Sequence, residues 1–389
     1  MTEFFNTGLT EQQFLDEYWQ KKPLLMRGAL SHFQSPVTPD KLITLACDDE
    51  IEARLIQENR SNSTWQLKNH ALNEEDFKRL PETHWTVLVQ DVDKHYTEFQ
   101  SLIDPFRFIP DWRRDDLMIS YASKDGSVGA HIDSYDVFLL QAMGTRRWQI
   151  SDHPIYDPEF IEDIDLQVLK HFTPDLSWDL APGDCLYLPP HYAHHGMALD
   201  DCMTFSFGFR SPTKVELLGG ITDAMLENEV GHERYSDPQL IISKHFHEIS
   251  QQAIQEVKQQ LQTAIDAADA EIALGLGRLV TDTKSSLIEK TEQMLTDLPS
   301  AQECSDLFAQ GKILQRNVFC RFAWSDQHQG TILFCAGEAY FLDQREHAII
   351  LSEGHVITAK QWSQLGLNDQ SIEILCELIA EGAWIWSAA

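Results

Sequence analysis

Apolar and polar positions along the chain change their period twice. Near the start, Thr10 precedes a helical pattern, with Gln13 three residues on as in a capping box, and Pro23 closes it. Leu24-Leu25-Met26-Arg27 reads as a first strand. From Trp85-Thr86-Val87-Leu88-Val89 to Phe209, short β-type runs alternate with turns, which predicts a barrel or jelly roll. After Arg210-Ser211-Pro212 the period becomes helical. Residues 213–230 read as a helix. Phe246, Ile249, Ala253, Ile254, Val257, Leu261 and Ile265 then recur at three- and four-residue steps, which defines one apolar helical face. That face is expected to cap the barrel or to pair with a second subunit.

A last unit is predicted from residue 300. It holds a strand pair around Thr331-Ile332-Leu333-Phe334-Cys335 and Ala339-Tyr340-Phe341-Leu342, with Gly337-Glu338 at the turn. A closing helix carries Ile372, Leu375, Cys376, Leu378 and Ile379. Helices with a hairpin suggest a small winged-helix-like domain. The expected division is therefore a mainly β catalytic core of double-stranded β-helix type over 1–210, a helical region over 211–299 and a winged-helix-like domain over 300–389.

Within the β region, His131-Ile132-Asp133 places two metal-ligand side chains two residues apart, on one side of an extended strand. His194 follows in Leu186-Tyr187-Leu188-Pro189-Pro190-His191-Tyr192-Ala193-His194. Two neutral imidazoles and one carboxylate can occupy one face of an octahedral metal and leave three positions open, the arrangement of non-haem Fe(II) oxygenases. A His-x-Asp alone is weak evidence among 16 His and 61 acidic residues, where a strand His beside a solvated Asp is the bland alternative. The context strengthens it. Leu180-Ala181-Pro182-Gly183-Asp184 reads as a tight turn into the apolar strand Cys185–Leu188, and the double Pro ends that strand.

Further along, alternation puts Arg146, Trp148 and Ile150 on one face and Arg147 and Gln149 on the other. An interior Arg needs a partner, and its planar fork suits a carboxylate held bidentately. The other reading is an Arg whose charge escapes at the barrel rim.

These stretches together resemble the JmjC-type ribosomal oxygenases, which are Fe(II)- and 2-oxoglutarate-dependent protein hydroxylases. The matching runs are Phe14-Leu15 through Tyr18-Trp19-Gln20-Lys21-Lys22-Pro23, Pro110-Asp111-Trp112-Arg113, and Asp115-Asp116-Leu117-Met118-Ile119-Ser120. They continue with Val128-Gly129-Ala130-His131-Ile132-Asp133-Ser134-Tyr135-Asp136-Val137-Phe138, Pro189-Pro190 through His194, and Phe207-Gly208-Phe209-Arg210. The bacterial members it most resembles β-hydroxylate an arginine of a large-subunit ribosomal protein, number sixteen.

By position, the resemblance implies iron ligands His131, Asp133 and His194, with Arg146 holding the distal carboxylate of 2-oxoglutarate. Ser120 would help with that carboxylate, and Thr204 is a weaker candidate. In Thr204–Phe209 the aromatics take one face and small residues the other, so the small face either borders the cofactor or makes room for packing. His191 and His195 flank the third ligand, and the family register selects His194. His195 would point the opposite way on an extended chain, and His191 sits against the double Pro. An arginine substrate needs acidic or aromatic partners at the mouth, for which Tyr135 and Asp136 are the candidates. Asp136 could equally cap a turn, and Tyr135 fill the core. Residues 152–178 form an acidic insertion that could border the same mouth. The resemblance also implies dimerisation through the helical region.

Composition adds bounds. At 389 residues, 43% of them hydrophobic, two or three domains are expected. The chain has no apolar run of about 18 residues and no basic start followed by an apolar stretch, so a cytoplasmic protein that does not enter membranes is expected. Seven scattered cysteines without a Cys-x-x-Cys pair argue against a disulfide framework or zinc site. A formal net charge of −31 disfavours direct contact with nucleic acid and favours a basic protein partner. Competing expectations are the same chemistry on a His or Asn side chain, a small-molecule substrate, a cupin-like metal-binding sensor, and a metal-dependent isomerase on the same barrel.

Overall fold

The computed structural model describes residues 3–30, 33–59, 64–69, 71–162, 164–210, 212–242, 244–328 and 330–388. The chain divides into two compact units, 1–211 and 212–389.

The first unit is built on two facing antiparallel sheets. The larger has eight strands in the spatial order 24–26, 185–188, 136–143, 202–209, 114–122, 85–89, 53–59 and 64–69. The smaller has three, ordered 176–180, 146–154 and 192–198. Leu24–Met26 is a strand as expected, and the sheet also recruits Ala53–Asn59 and Thr64–Asn69, upstream of the predicted β region. Most neighbours in the large sheet, such as 185–188 beside 136–143 and 202–209 beside 114–122, are not consecutive in sequence, as a jelly roll requires.

Burial along the strands explains the packing. Asp136–Met143 is buried at nearly every position because both faces of its sheet are covered. Phe138, Leu140 and Ala142 face a large aromatic core with Phe14, Tyr187, Phe205, Phe207 and Phe209. Val137 and Leu139 face the other way, into the space between the sheets, with Trp148, Ile150, Leu186 and Leu188. The aromatic core is closed by the helices Glu11–Glu17 and Pro39–Ala46. Thr10 caps the first of them and Gln13 completes the capping box, but the helix ends at Glu17, well before Pro23.

The Ala181–Asp184 turn forms as expected. Gly183 adopts φ +91°, a region closed to most side chains, and Asp184 Oδ2 accepts from Ala181 N at 3.1 Å.

In the second unit, Lys214–Glu227 and Asp269–Thr281 pack backbone to backbone through Gly220 and Gly275. The helix Gln251–Asp266 starts later than its apolar pattern. Ser250 is its N-cap, with Oγ accepting from Ala253 N at 3.1 Å, and Phe246 and Ile249 precede it. No residue of that helix is buried, and its apolar face is open, with Leu261 60% exposed.

The remainder is a winged-helix-like body. The strands Lys312–Arg316 and Trp384–Ala388 pair, as do Phe322–Gln327, Gly330–Cys335 and Glu338–Leu342 in succession. The predicted hairpin is present with its turn one residue earlier, at Ala336-Gly337 (φ 50° and 85°), the two-residue left-handed turn that matches strand twist. Helices 301–309, 345–353 and 369–380 bury Phe308, Leu351, Leu375 and Leu378 against these strands. All seven cysteines are free.

Candidate active site

A cavity of about 260 Å³ lies between the two sheets of the first unit. The large sheet contributes Asp116, Met118 and Ser120 from one strand, Ser206 and Gly208 from the next, and Val137 and Leu139 beyond. The small sheet contributes Arg146, Trp148 and His194. Leu166 and Gln167, from the acidic insertion, line it as well.

His131, Asp133 and His194 meet at this cavity, with one ligand-type atom from each lying within 4.8 Å of the others. His131 and His194 form an isolated antiparallel bridge, so both side chains leave on the same side. Their ring centroids are 4.2 Å apart. His131 Nδ1 lies 3.0 Å from Gly129 O and His194 Nδ1 lies 2.9 Å from Tyr192 O. Each ring therefore donates from Nδ1 to a carbonyl, which leaves the Nε2 lone pair for a cation. Asp133 Oδ2 is 3.5 Å from His194 Nε2. Burial, aided by the neighbouring His131, pulls His194 down to about 4, so its imidazole stays neutral near pH 7.

The neighbouring histidines are arranged otherwise. His191 takes φ 69° in the turn after the double Pro, its N–H donates to Asp133 O at 2.8 Å, and its ring lies against Tyr156. His195 leaves the opposite face of its strand, toward Phe172.

Arg146 is 5% exposed. Nη1 donates to Ser120 Oγ at 3.4 Å, Nε points at Cys202 Sγ, and the guanidinium lies over the Trp148 ring. Nη2 is buried and has no hydrogen-bond partner among the described residues, and the same holds for Trp148 Nε1. A buried, unsatisfied guanidinium nitrogen at a cavity wall is costly unless a ligand oxygen meets it. The donor set fits a bound metal with a dicarboxylate: three ligand-type groups at one end of the cavity, an Arg and a Ser hydroxyl at its wall.

Two predicted site residues do not reach the cavity. Thr204 lies on the small-residue face as expected, but its hydroxyl donates to Gln141 Oε1 at 3.0 Å, and Ser206 and Gly208 line the cavity instead. Asp136 is fully buried away from it. Its carboxylate accepts from Tyr187 Oη (2.6 Å), Gln20 Nε2 (2.9 Å) and Arg113 Nη2 (3.3 Å). Alternation is the reason: Asp136 opens a strand whose next residue, Val137, faces the cavity, so Asp136 faces the aromatic core. Tyr135 does line the cavity, and its hydroxyl is pushed up by the Asp133 carboxylate and by burial, so it remains a neutral phenol.

Sequence reasoning did not assign Asp116, Met118, Arg54, Gln90, Ser206 or Gly208, all of which line the cavity. Stepping back by twos from Ser120 reaches Met118 and Asp116. Arg54 and Gln90 lie on or beside strands that carry no motif of their own.

A JmjC domain model matches residues 101–217 and a ROXA-like winged-helix model matches residues 259–385. The ribosomal protein uL16 3-hydroxylase of Escherichia coli K12 is 30% identical over 384 residues, covering 98% of this chain and 99% of that protein. A probable ribosomal oxygenase of Haemophilus influenzae is 40% identical over 238 residues, 61% of this chain and 56% of that one. A crystal structure of E. coli YcfD superposes with a TM-score of 0.81 at 29% identity, covering 97% of this chain and 98% of that one. The structure of that ribosomal oxygenase in complex with cobalt and 2-oxoglutarate gives 0.77 at 29% identity, over 98% and 99% of the two chains. With near-complete coverage on both sides, a shared fold and matches to both domain models, the chain belongs to the JmjC-domain ribosomal oxygenases.

Proposed function

We propose that this protein is an Fe(II)- and 2-oxoglutarate-dependent dioxygenase that hydroxylates an arginine side chain of a large-subunit ribosomal protein at its β-carbon. The observation that carries the reading is the pairing of the His131/Asp133/His194 cluster with Arg146, whose buried Nη2 has no hydrogen-bond partner among the described residues.

His131 and His194, each oriented by a carbonyl on Nδ1, would hold the metal through Nε2, and the Asp133 carboxylate would complete the protein's share. Arg146, with Ser120 beside it, would fix the far carboxylate of 2-oxoglutarate by charge-assisted hydrogen bonds. The bound metal and cofactor supply activation of O2 strong enough to oxidise an unactivated C–H bond. The protein's own share is to hold the target carbon close and to keep water away. Val137, Leu139 and Trp148 form the apolar wall that does the second. For the first, Tyr135 offers a neutral aromatic ring, and Asp116 replaces Asp136 as the carboxylate for a cationic side chain. The net charge of −31 favours approach of a basic protein over a nucleic acid.

The open apolar face of the 251–266 helix, with Ile254, Val257 and Leu261, supports action as a homodimer through the 211–299 region. Among the described residues no helix is long and apolar enough to cross a membrane, and a ribosomal substrate makes the cytoplasm the expected place of action.

The test is incubation of the purified chain with Fe(II), 2-oxoglutarate, air and isolated ribosomal proteins. The expected result is succinate formation coupled to a 16 Da gain on one arginine. Succinate coupled to a gain on histidine or asparagine would move the target, and no 2-oxoglutarate turnover would remove the oxygenase reading.

A further inference from the structure

The strand that carries His194 meets its neighbour through an interrupted ladder. Residues 192–198 pair with 146–154, but the register steps from His194 opposite Ile150 to Tyr192 opposite Pro154. Ser151, Asp152 and His153 therefore stand across from Ala193 alone, a bulge on the strand whose other end bears Arg146. Beside the bulge, the third histidine and the turn before it pair toward the other two ligands. His194 bridges to His131, and His191 N donates to Asp133 O at 2.8 Å.

A bulge takes backbone groups out of the ladder, and buried ones must then be met by something else. Side chains do this here. On the exposed side, Asp152 N donates to Asp175 Oδ2 at 3.0 Å. On the inner side Ala193 is fully buried and Ser151 is 2% exposed. Ala193 N donates to Ser151 Oγ at 3.0 Å, and the same hydroxyl donates back to Ala193 O at 3.4 Å. A serine hydroxyl has one proton and two lone pairs, so it can take both roles. Burial alternates from Arg146 to Ile150 and the alternation breaks at Ser151, which is buried directly after buried Ile150.

The amide met by Ser151 belongs to a peptide group with a second task. The carbonyl of that same group, Tyr192 O, accepts from His194 Nδ1 at 2.9 Å. A peptide group is planar and stiff, so holding its N–H at one end fixes the direction of its C=O at the other. The Ser151 hydroxyl, the Tyr192–Ala193 peptide and the His194 imidazole thus form one hydrogen-bonded chain, ending at the Nε2 that faces His131 and Asp133. Ala193 also packs in one apolar cluster with Ala130, the residue before His131.

We propose that Ser151 is a positioning residue of the metal centre. Through the Tyr192–Ala193 peptide it fixes the carbonyl that orients the His194 ring and so holds Nε2 toward the cation. This rests on the metal-centre reading above.

The test compares full-length wild type with Ser151→Ala, Ser151→Thr and Ser151→Val. Thr and Val have nearly the same shape and differ in the hydroxyl, so any misfit is common to both. Co(II) is titrated under argon and followed by its visible absorption bands, and the thermal unfolding midpoint of each metal-free protein is measured alongside. Ser151→Ala should bind Co(II) about tenfold more weakly than wild type, and Ser151→Val about tenfold more weakly than Ser151→Thr, the scale of losing a group that orients a metal ligand. The bands of the Ala and Val variants should be displaced from those of wild type. Leu186→Ala, which opens a void in the core between the sheets, should lower the midpoint yet keep wild-type affinity and bands. Equal Co(II) affinity and equal bands for the Thr and Val variants overturn the proposal. So does a loss of affinity in Leu186→Ala as large as that in Ser151→Ala, since general loosening would then explain both. A wild-type protein that does not bind Co(II) overturns the metal-centre reading itself.

Discussion

His131 and His194 exchange two backbone hydrogen bonds, N to O at 3.0 Å and 2.9 Å, although each belongs to a different stretch of chain. Side chains of a directly opposed antiparallel pair emerge on the same side, so the bridge itself sets the spacing of the two imidazoles. Asp133 joins them because it lies two residues beyond His131, and the His191 amide anchors its carbonyl. The cluster is held by backbone, which makes its geometry tolerant of changes elsewhere in the cavity.

Asp133→Ala should therefore leave the fold intact and remove metal binding. Anaerobic titration with Fe(II), or with Co(II) as a coloured substitute, checks this against the circular dichroism of the same sample. Wild-type affinity in the variant would take Asp133 out of the ligand set.

Arg146→Ala should raise the 2-oxoglutarate concentration needed for half-maximal turnover by about 100-fold, the scale of losing one partner of a buried charge pair. Arg146→Lys should recover only part of it, because an ammonium cannot reproduce the fork. Ser120→Ala should cost a few-fold. Thr204→Val should leave the cofactor requirement alone, since the Thr204 hydroxyl is spent on Gln141. Succinate formation against cofactor concentration separates the four.

Asp136 behaves as part of the scaffold. Asp136→Ala strands Tyr187, Gln20 and Arg113 and should lower unfolding free energy by about 3–5 kcal/mol. Burial raises the Asp136 carboxyl above the usual aspartate range despite those partners. The folded state then binds more proton than the unfolded state between the ordinary aspartate pKa and the raised one. Its contribution to stability is fullest below that window and falls as pH rises through it. Asp136→Asn should remove that slope, and urea unfolding of both proteins from pH 4 to 7 measures it. A change in substrate KM without a change in stability would return Asp136 to the substrate site.

Val257→Glu combined with Leu261→Glu should yield monomers, because both side chains lie on the open face of the 251–266 helix. Sedimentation velocity across a concentration series gives the answer. Wild type that remains monomeric at high concentration would set the dimer aside.

The sequence was legible wherever a rule operates over a few neighbouring residues. His131-x-Asp133 shares a face because strand period is two. Arg146, Trp148 and Ile150 share one for the same reason, and their burial pattern alternates as read. The Thr10 cap, the Pro182-Gly183 turn and the two-residue hairpin loop near Gly337 follow from local backbone chemistry. Where the structure differs, the reason is equally physical. Asp136 is a candidate by its nearness to the ligand pair, and Thr204 by the small-residue face of its strand. Which face of a strand meets a cavity depends on what lies across the sheet, and there Gln141 covers Thr204 while Tyr187, Gln20 and Arg113 enclose Asp136.

By itself the sequence determined the residue types of the centre, the side of each strand they leave from, and the change from β to helical character after residue 211. Only the tertiary structure decided which of three histidines joins His131 through a bridge and which strands form the cavity wall. Contacts between residues distant in sequence depend on strand order and register, and those are fixed by how both faces of a sheet are covered, a property no local window contains.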